Sequence, residues 1–155
     1  MSKVKGFMDA TLRMILFVCV FLGIFQIHKS FGADDFPIDI KEAKCMEKDY
    51  TTSGMANCTY AALSEWEKEV VKYNKLLVSL LNDKDRKIAN DAQSKWVIFK
   101  DAEFKNASAV YGNLKGTMYI NVLANVQAGI VKQRALDLRN YYELLRDGER
   151  WEWSK

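Results

Sequence analysis

The sequence predicts an all-α protein: an antiparallel bundle of three long helices, preceded by a short N-terminal helix stapled to it by a disulfide. Three observations carry this. One proline and eight glycines in 155 residues leave long stretches without a helix breaker. Apolar residues in those stretches recur at three- and four-residue spacing, the period of a helix face. Short polar turns separate the stretches, so successive helices reverse direction against their neighbours. A chain that is 49% hydrophobic and 28% charged can fill a single core.

The first residues stand apart. Lys3, Lys5 and Arg13 precede an apolar run, Met14 to Phe25, which is shorter than the ~20 residues of a membrane span. The order of basic start, apolar middle and small end predicts a secretory signal over residues 1–32. Ser30 and Gly32 then sit at the −3 and −1 positions of a cut before Ala33, a cut after Ala33 would put Phe31 at −3, and an uncleaved anchor is the alternative. Cys19 has valines on both sides, which argues against a lipid anchor. The expected location is the periplasm or the medium, with no stable membrane insertion once the signal is cut.

Cleavage would change the charge. Lys3, Lys5, Arg13 and Lys29 leave with Asp9, so 23 basic and 20 acidic residues fall to 19 and 19. A neutral mature chain argues against a nucleic-acid partner, which requires a positive field. His28, the single histidine, leaves as well. Without it the chain cannot build a Ser-His-Asp or Cys-His site, or a His-rich zinc site. No cofactor, no metal and no enzymatic activity are expected. Cys45 and Cys58 remain, and two cysteines in an exported chain are expected to pair. Closing a loop of about a dozen residues is worth roughly 3 kcal/mol. A redox-active pair is the alternative, but the spacing is not Cys-x-x-Cys.

The elements of the mature domain, residues 33–148, follow in order. Residues 33–37 are an extended lead-in. A short helix is expected within Ile38 to Lys48, ended by Thr51, Thr52, Ser53 and Gly54. Thr52 or Ser53 is the candidate cap of the next helix. From Gly54 to Leu81, Met55, Cys58, Ala62, Trp66, Val70, Tyr73, Leu77 and Leu80 mark one face of a long helix. Asn82 to Asp85 form a turn, with Asp83 or Asp85 as candidate cap of a helix from Arg86 to about Val110. Ile88, Ala92, Trp96, Phe99 and Ala102 share a face there, so Trp96 and Phe99 are expected in the core. Gly112 and Gly116 supply positive backbone angles to the next loop. The last helix runs from about Thr117 to Arg146. Its expected apolar face is Val122, Val126, Ile130, Leu138, Tyr141 and Leu145, with Arg134 at the same spacing. Residues 149–155 are a tail whose Trp151 and Trp153 either fold back or act as exposed anchors.

On these residues the chain resembles the LprI-type lysozyme-inhibitor domain, a family of small exported bacterial proteins. The carrying features are Cys45, Thr51/Thr52, Met55, Asn57 and Cys58; the block Ala92-Gln93-x-x-Trp96-x-x-Phe99-Lys100-Asp101-Ala102-Glu103; Gly116-Thr117-Met118; and Arg134 with Asp137-Leu138. Family members often carry a second cysteine pair, at places that correspond to Phe104 and Val126. Packing between these two apolar residues is expected to replace that crosslink.

The resemblance implies a protein partner, lysozyme, bound and blocked by steric occlusion without covalent chemistry. Another cell-wall-active enzyme or toxin, neutralised by an envelope interaction or immunity-type protein, is the alternative target. Lys100, Asp101, Glu103 and Arg134 are the candidate polar cluster. They either face the partner or form a structural network in which Asp101 or Glu103 pairs with Arg134.

Overall fold

The computed structural model describes residues 36–148, all of whose regular structure is helical: α1 (Pro37–Met46), α2 (Thr52–Leu80), α3 (Asp83–Tyr111) and α4 (Met118–Gly148). The expected signal peptide, His28 and the tail with Trp151 and Trp153 lie outside the described residues.

The starts of the helices follow from local chemistry. Pro37 opens α1, where a missing N–H is harmless. Thr51, one residue before the expected positions, caps α2 by accepting the Gly54 N–H at 3.0 Å. Asp49 orients that cap by accepting both the hydroxyl and the N–H of Thr51, at 2.6 and 3.0 Å. The Asp49 carboxylate stands where a Cβ on Gly54 would be, so a larger residue there would have to push it off the cap. Asn82 caps α3 in place of the expected aspartates, accepting from the Asp85 N–H at 3.0 Å. Between α3 and α4 only Gly116 takes a positive φ, 116°; Gly112 stays right-handed.

The helix directions can be read from cross-helix pairs. Trp66 of α2 meets Lys132 of α4, and two to three turns further on Tyr73 meets Tyr142, so α2 and α4 run the same way. α3 returns between them, with Lys100 reaching Glu67 of α2 and Gln93 meeting Arg134 of α4. α2 with α4 is by far the largest helix–helix interface; α3 packs more lightly on α4 and least on α2. Its core is Ala62, Trp66, Val70 and Leu77 of α2 against Val131, Ala135 and Leu138 of α4. Trp66, 4% exposed, is the largest side chain in it.

Two helix faces differ from expectation. On α4 the buried line is Ala124, Val131, Ala135 and Leu138; of the expected stripe only Leu138 is on it, while Val122, Val126 and Ile130 are half-buried and Tyr141 and Leu145 are exposed. Alanine at two positions of the buried line permits close approach to α2, whose own buried positions include Ala56 and Ala62. On α3 the expected core stripe is largely wet. Ile88, Ala92, Phe99 and Ala102 are exposed, Trp96 is half-buried, and Ala107 is the one fully buried residue of the helix. The inward line of α3 is instead Ala89, Gln93, Trp96, Lys100, Phe104 and Ala107. Gln93 and Lys100 interrupt it with polarity, so hydrophobic periodicity points to the wrong side.

α1 buries no residue fully. The Cys45–Cys58 disulfide holds it to α2, with Cα atoms 5.7 Å apart. Glu42 accepts the hydroxyl of the buried Thr59 at 2.7 Å, Lys41 pairs with Glu65, and Asp39 receives Lys132 of α4 at 2.6 Å. Phe36 meets Trp66 edge to face at 5.5 Å.

Two outcomes are expected. Replacing both Cys45 and Cys58 by serine should lower unfolding stability by roughly 3 kcal/mol, read from urea midpoints. The hydrogen bonds from the Thr51 hydroxyl and N–H hold the Asp49 carboxyl below its usual range. A depressed carboxyl contributes stability above its unfolded pKa and loses it as pH falls through the folded one. Asp49→Asn should therefore lower the melting midpoint at neutral pH, and the difference from wild type should close in acid.

Candidate binding site between the last two helices

Trp96 and Phe99 of the Ala92–Glu103 block and Arg134 and Asp137 of the Arg134–Leu138 segment meet along the α3–α4 seam. They line an open cleft of about 570 Å³. Trp96 and Phe99 form its α3 wall. Val126, Ile130 and the bare backbone of Gly129 form its α4 wall, with Gln133, Arg134 and Asp137 at one end. Val126 and Ile130 of the α4 stripe that the sequence marks as core therefore face this cleft, and Tyr141 and Leu145 further along it are exposed.

Arg134 organises the polar end. Its Nε and Nη2 donate to Gln93 Oε1 at 3.1 and 2.9 Å. Its guanidinium carbon lies 5.8 Å from the Trp96 ring centre, within cation–π range. Burial pulls the Arg134 pKa down, and the charges of Asp137 and Tyr141 act against that; an arginine stays cationic in either case. One turn on, Gln133 donates to Asp137 Oδ1 at 2.8 Å.

The expected pairing of Asp101 or Glu103 with Arg134 is corrected by this arrangement. The α3 carboxylates sit too far along the helix from Gln93 to reach that end of α4. Asp101 is exposed and lies 3.7 Å from Lys100. Lys100 turns inward instead, to Glu67 of α2 at 3.1 Å, with its ammonium 5.4 Å from the Phe104 ring. Glu103 is half-buried and makes no ion pair among the described residues. Of the four expected core residues, Trp96, Phe104 and Val126 are half-buried and Phe99 is 52% exposed. Phe104 packs against the core and Val126 lines the cleft. Next to Phe99, Ile98 is 70% exposed and Val97 is exposed too. Three consecutive large apolar residues thus open to solvent from α3.

Gln93 is the residue that composition and periodicity miss. A polar side chain on an otherwise amphipathic helix reads as wet; only its place in the Ala-Gln-x-x-Trp block marks it. No group of three or more metal-ligating side chains occurs among the described residues, and none of their helices is long and apolar enough to cross a membrane.

Comparisons with known proteins follow this geometry. A family model described as lysozyme inhibitor LprI matches residues 44–138, which include both cysteines and every cleft residue named above. A crystal structure of an uncharacterized protein from Burkholderia thailandensis superimposes with a TM-score of 0.68 at 28% identity. The match covers 74% of this chain and 56% of that one, so this chain spans little more than half of that relative. No curated protein sequence matches.

The Gln93–Arg134 bridge should be measurable by a double-mutant cycle. Gln93→Ala with Arg134→Lys should show a coupling of about 1 kcal/mol in urea unfolding, because lysine keeps the charge but loses the two-pronged contact. Additive effects would remove the bridge from the account of how α3 is held.

Proposed function

Because this chain belongs to the LprI lysozyme inhibitor family, we propose that it is an exported protein that binds a lysozyme and blocks it sterically, using the outer side of α3 around Ile98, Phe99 and Asp101. One observation carries the placement: Phe99, inside the family block, is half in solvent with exposed Val97 and Ile98 beside it. Exposed aromatic side chains flanked by polar ones are the usual anchors of protein interfaces. Asp101, exposed next to them, offers an acidic contact to a basic partner such as a c-type lysozyme. The Cys45–Cys58 disulfide supports export, since such crosslinks persist in oxidising compartments. The inhibitory act is occlusion of a sugar-binding cleft and requires no reacting group on this chain.

The neutral charge of residues 33–155 favours a second reading, in which another cell-wall-active enzyme or toxin is the target. A neutral protein has no overall field to draw in a basic partner.

The exported protein, titrated against c-, g- and i-type lysozymes, should inhibit at least one and co-purify with it. Phe99→Asp and Ile98→Asp should each weaken that binding by about tenfold or more and leave the melting curve nearly unchanged, because both side chains are already largely wet. Absence of inhibition and of binding with all three types would remove the lysozyme reading.

A further inference from the structure

We propose that the α3–α4 cleft beside this face is a binding site for a neutral oligosaccharide. Its wall is aromatic, Trp96 with the half-exposed Phe99, a flat apolar surface suited to the C–H face of a sugar ring. Its polar end is built of planar groups that fix one another. Arg134 is held by Gln93 Oε1 through two hydrogen bonds, and Asp137 is held by Gln133. Among the lining residues these contacts leave Asp137 Oδ2 as an acceptor with no side-chain partner among the described residues. A sugar hydroxyl is both donor and acceptor, so it can donate to that carboxylate oxygen and still accept from a neighbouring group.

The same inventory disfavours other occupants. An apolar helix laid along the cleft would cover these polar atoms without pairing them, which is costly. A phosphate or other anion would gain Arg134 but meet the Asp137 carboxylate. Arg134 and Asp137 are the two charged residues of the lining and cancel, so the cleft suits an uncharged ligand. Its volume of about 570 Å³ falls in the range of small-molecule sites. Gly129 leaves the α4 side open: a Cβ added there would meet nothing within 4 Å.

The inference does not depend on lysozyme binding and is tested without it. Chitotriose and maltotriose are titrated into the exported, 15N-labelled protein. At least one should give saturable shifts at the Trp96 indole N–H, the Gln93 side-chain amide and the Gly129 N–H. Gly129→Leu fills the cleft from a solvent-open helix position and replaces glycine with a better helix former, so it should fold. It should weaken the binding by about tenfold or more, and Asp137→Ala should weaken it by removing the acceptor. Inorganic phosphate should not displace the sugar. The proposal is overturned if neither trisaccharide moves those three signals, if Gly129→Leu leaves the titration unchanged, or if phosphate competes.

Discussion

The seam between α2 and α4 is the constraint on which the rest of the molecule depends. Trp66, Val70 and Leu77 close against Val131, Ala135 and Leu138, and alanines on both helices allow the backbones to approach. Burying a side chain the size of Trp66 removes more apolar surface from water than any other residue of the core. Because these two helices satisfy each other, neither α1 nor α3 has to supply much core. α1 buries nothing fully, and α3 buries only Ala107. A 10-residue helix such as α1 is not stable alone in water, so its order comes from what fastens it.

The fastening follows one pattern at three places. Lys132 of α4 sits between the rings of Phe36 and Trp66 while pairing with Asp39, and so ties α1 to the seam. Lys100 of α3 lies against Phe104 and reaches Glu67 of α2. Arg134 of α4 lies over Trp96 and grips Gln93 of α3. Each is a long side chain whose stem covers an apolar surface while its head finds an acceptor. Fully exposed ion pairs contribute little; these are partly desolvated and geometrically held, which makes them positioning devices. Around α1 the disulfide adds a covalent tie.

This division of labour explains the surface. With α2 and α4 carrying the core, α3 turns Gln93 and Lys100 inward among Ala89, Trp96, Phe104 and Ala107, and leaves Val97, Ile98 and Phe99 open to solvent. Ile88, Ile98 and Phe99 are exposed, and the proposed partner contact rests on the last two. The family block spans both sides of that helix. Gln93, Trp96 and Lys100 anchor it, Phe99 stands at the rim of the cleft half in solvent, and Ile98 with Asp101 is exposed. A stable frame and a presented surface are thus written into a single stretch of twelve residues' length or so.

The sequence by itself determined the helical class, the number of helices, their limits to within a few residues, the pairing of Cys45 with Cys58 and the resemblance to the family. These depend on local quantities: breaker content, apolar period and residue spacing along the chain. It also identified the inward face of α2, where a single apolar stripe includes Trp66. It misjudged α3 and α4, since each carries two possible stripes and period alone does not say which one meets a neighbour. Only the tertiary structure decided that alanine-bearing positions of α4 face α2, that Gln93 and Lys100 point inward, and that Phe99 stands in solvent. The reason is steric and collective: which face of a helix is buried depends on how closely its neighbour approaches and on which polar heads find acceptors there, and neither quantity is a property of the helix alone.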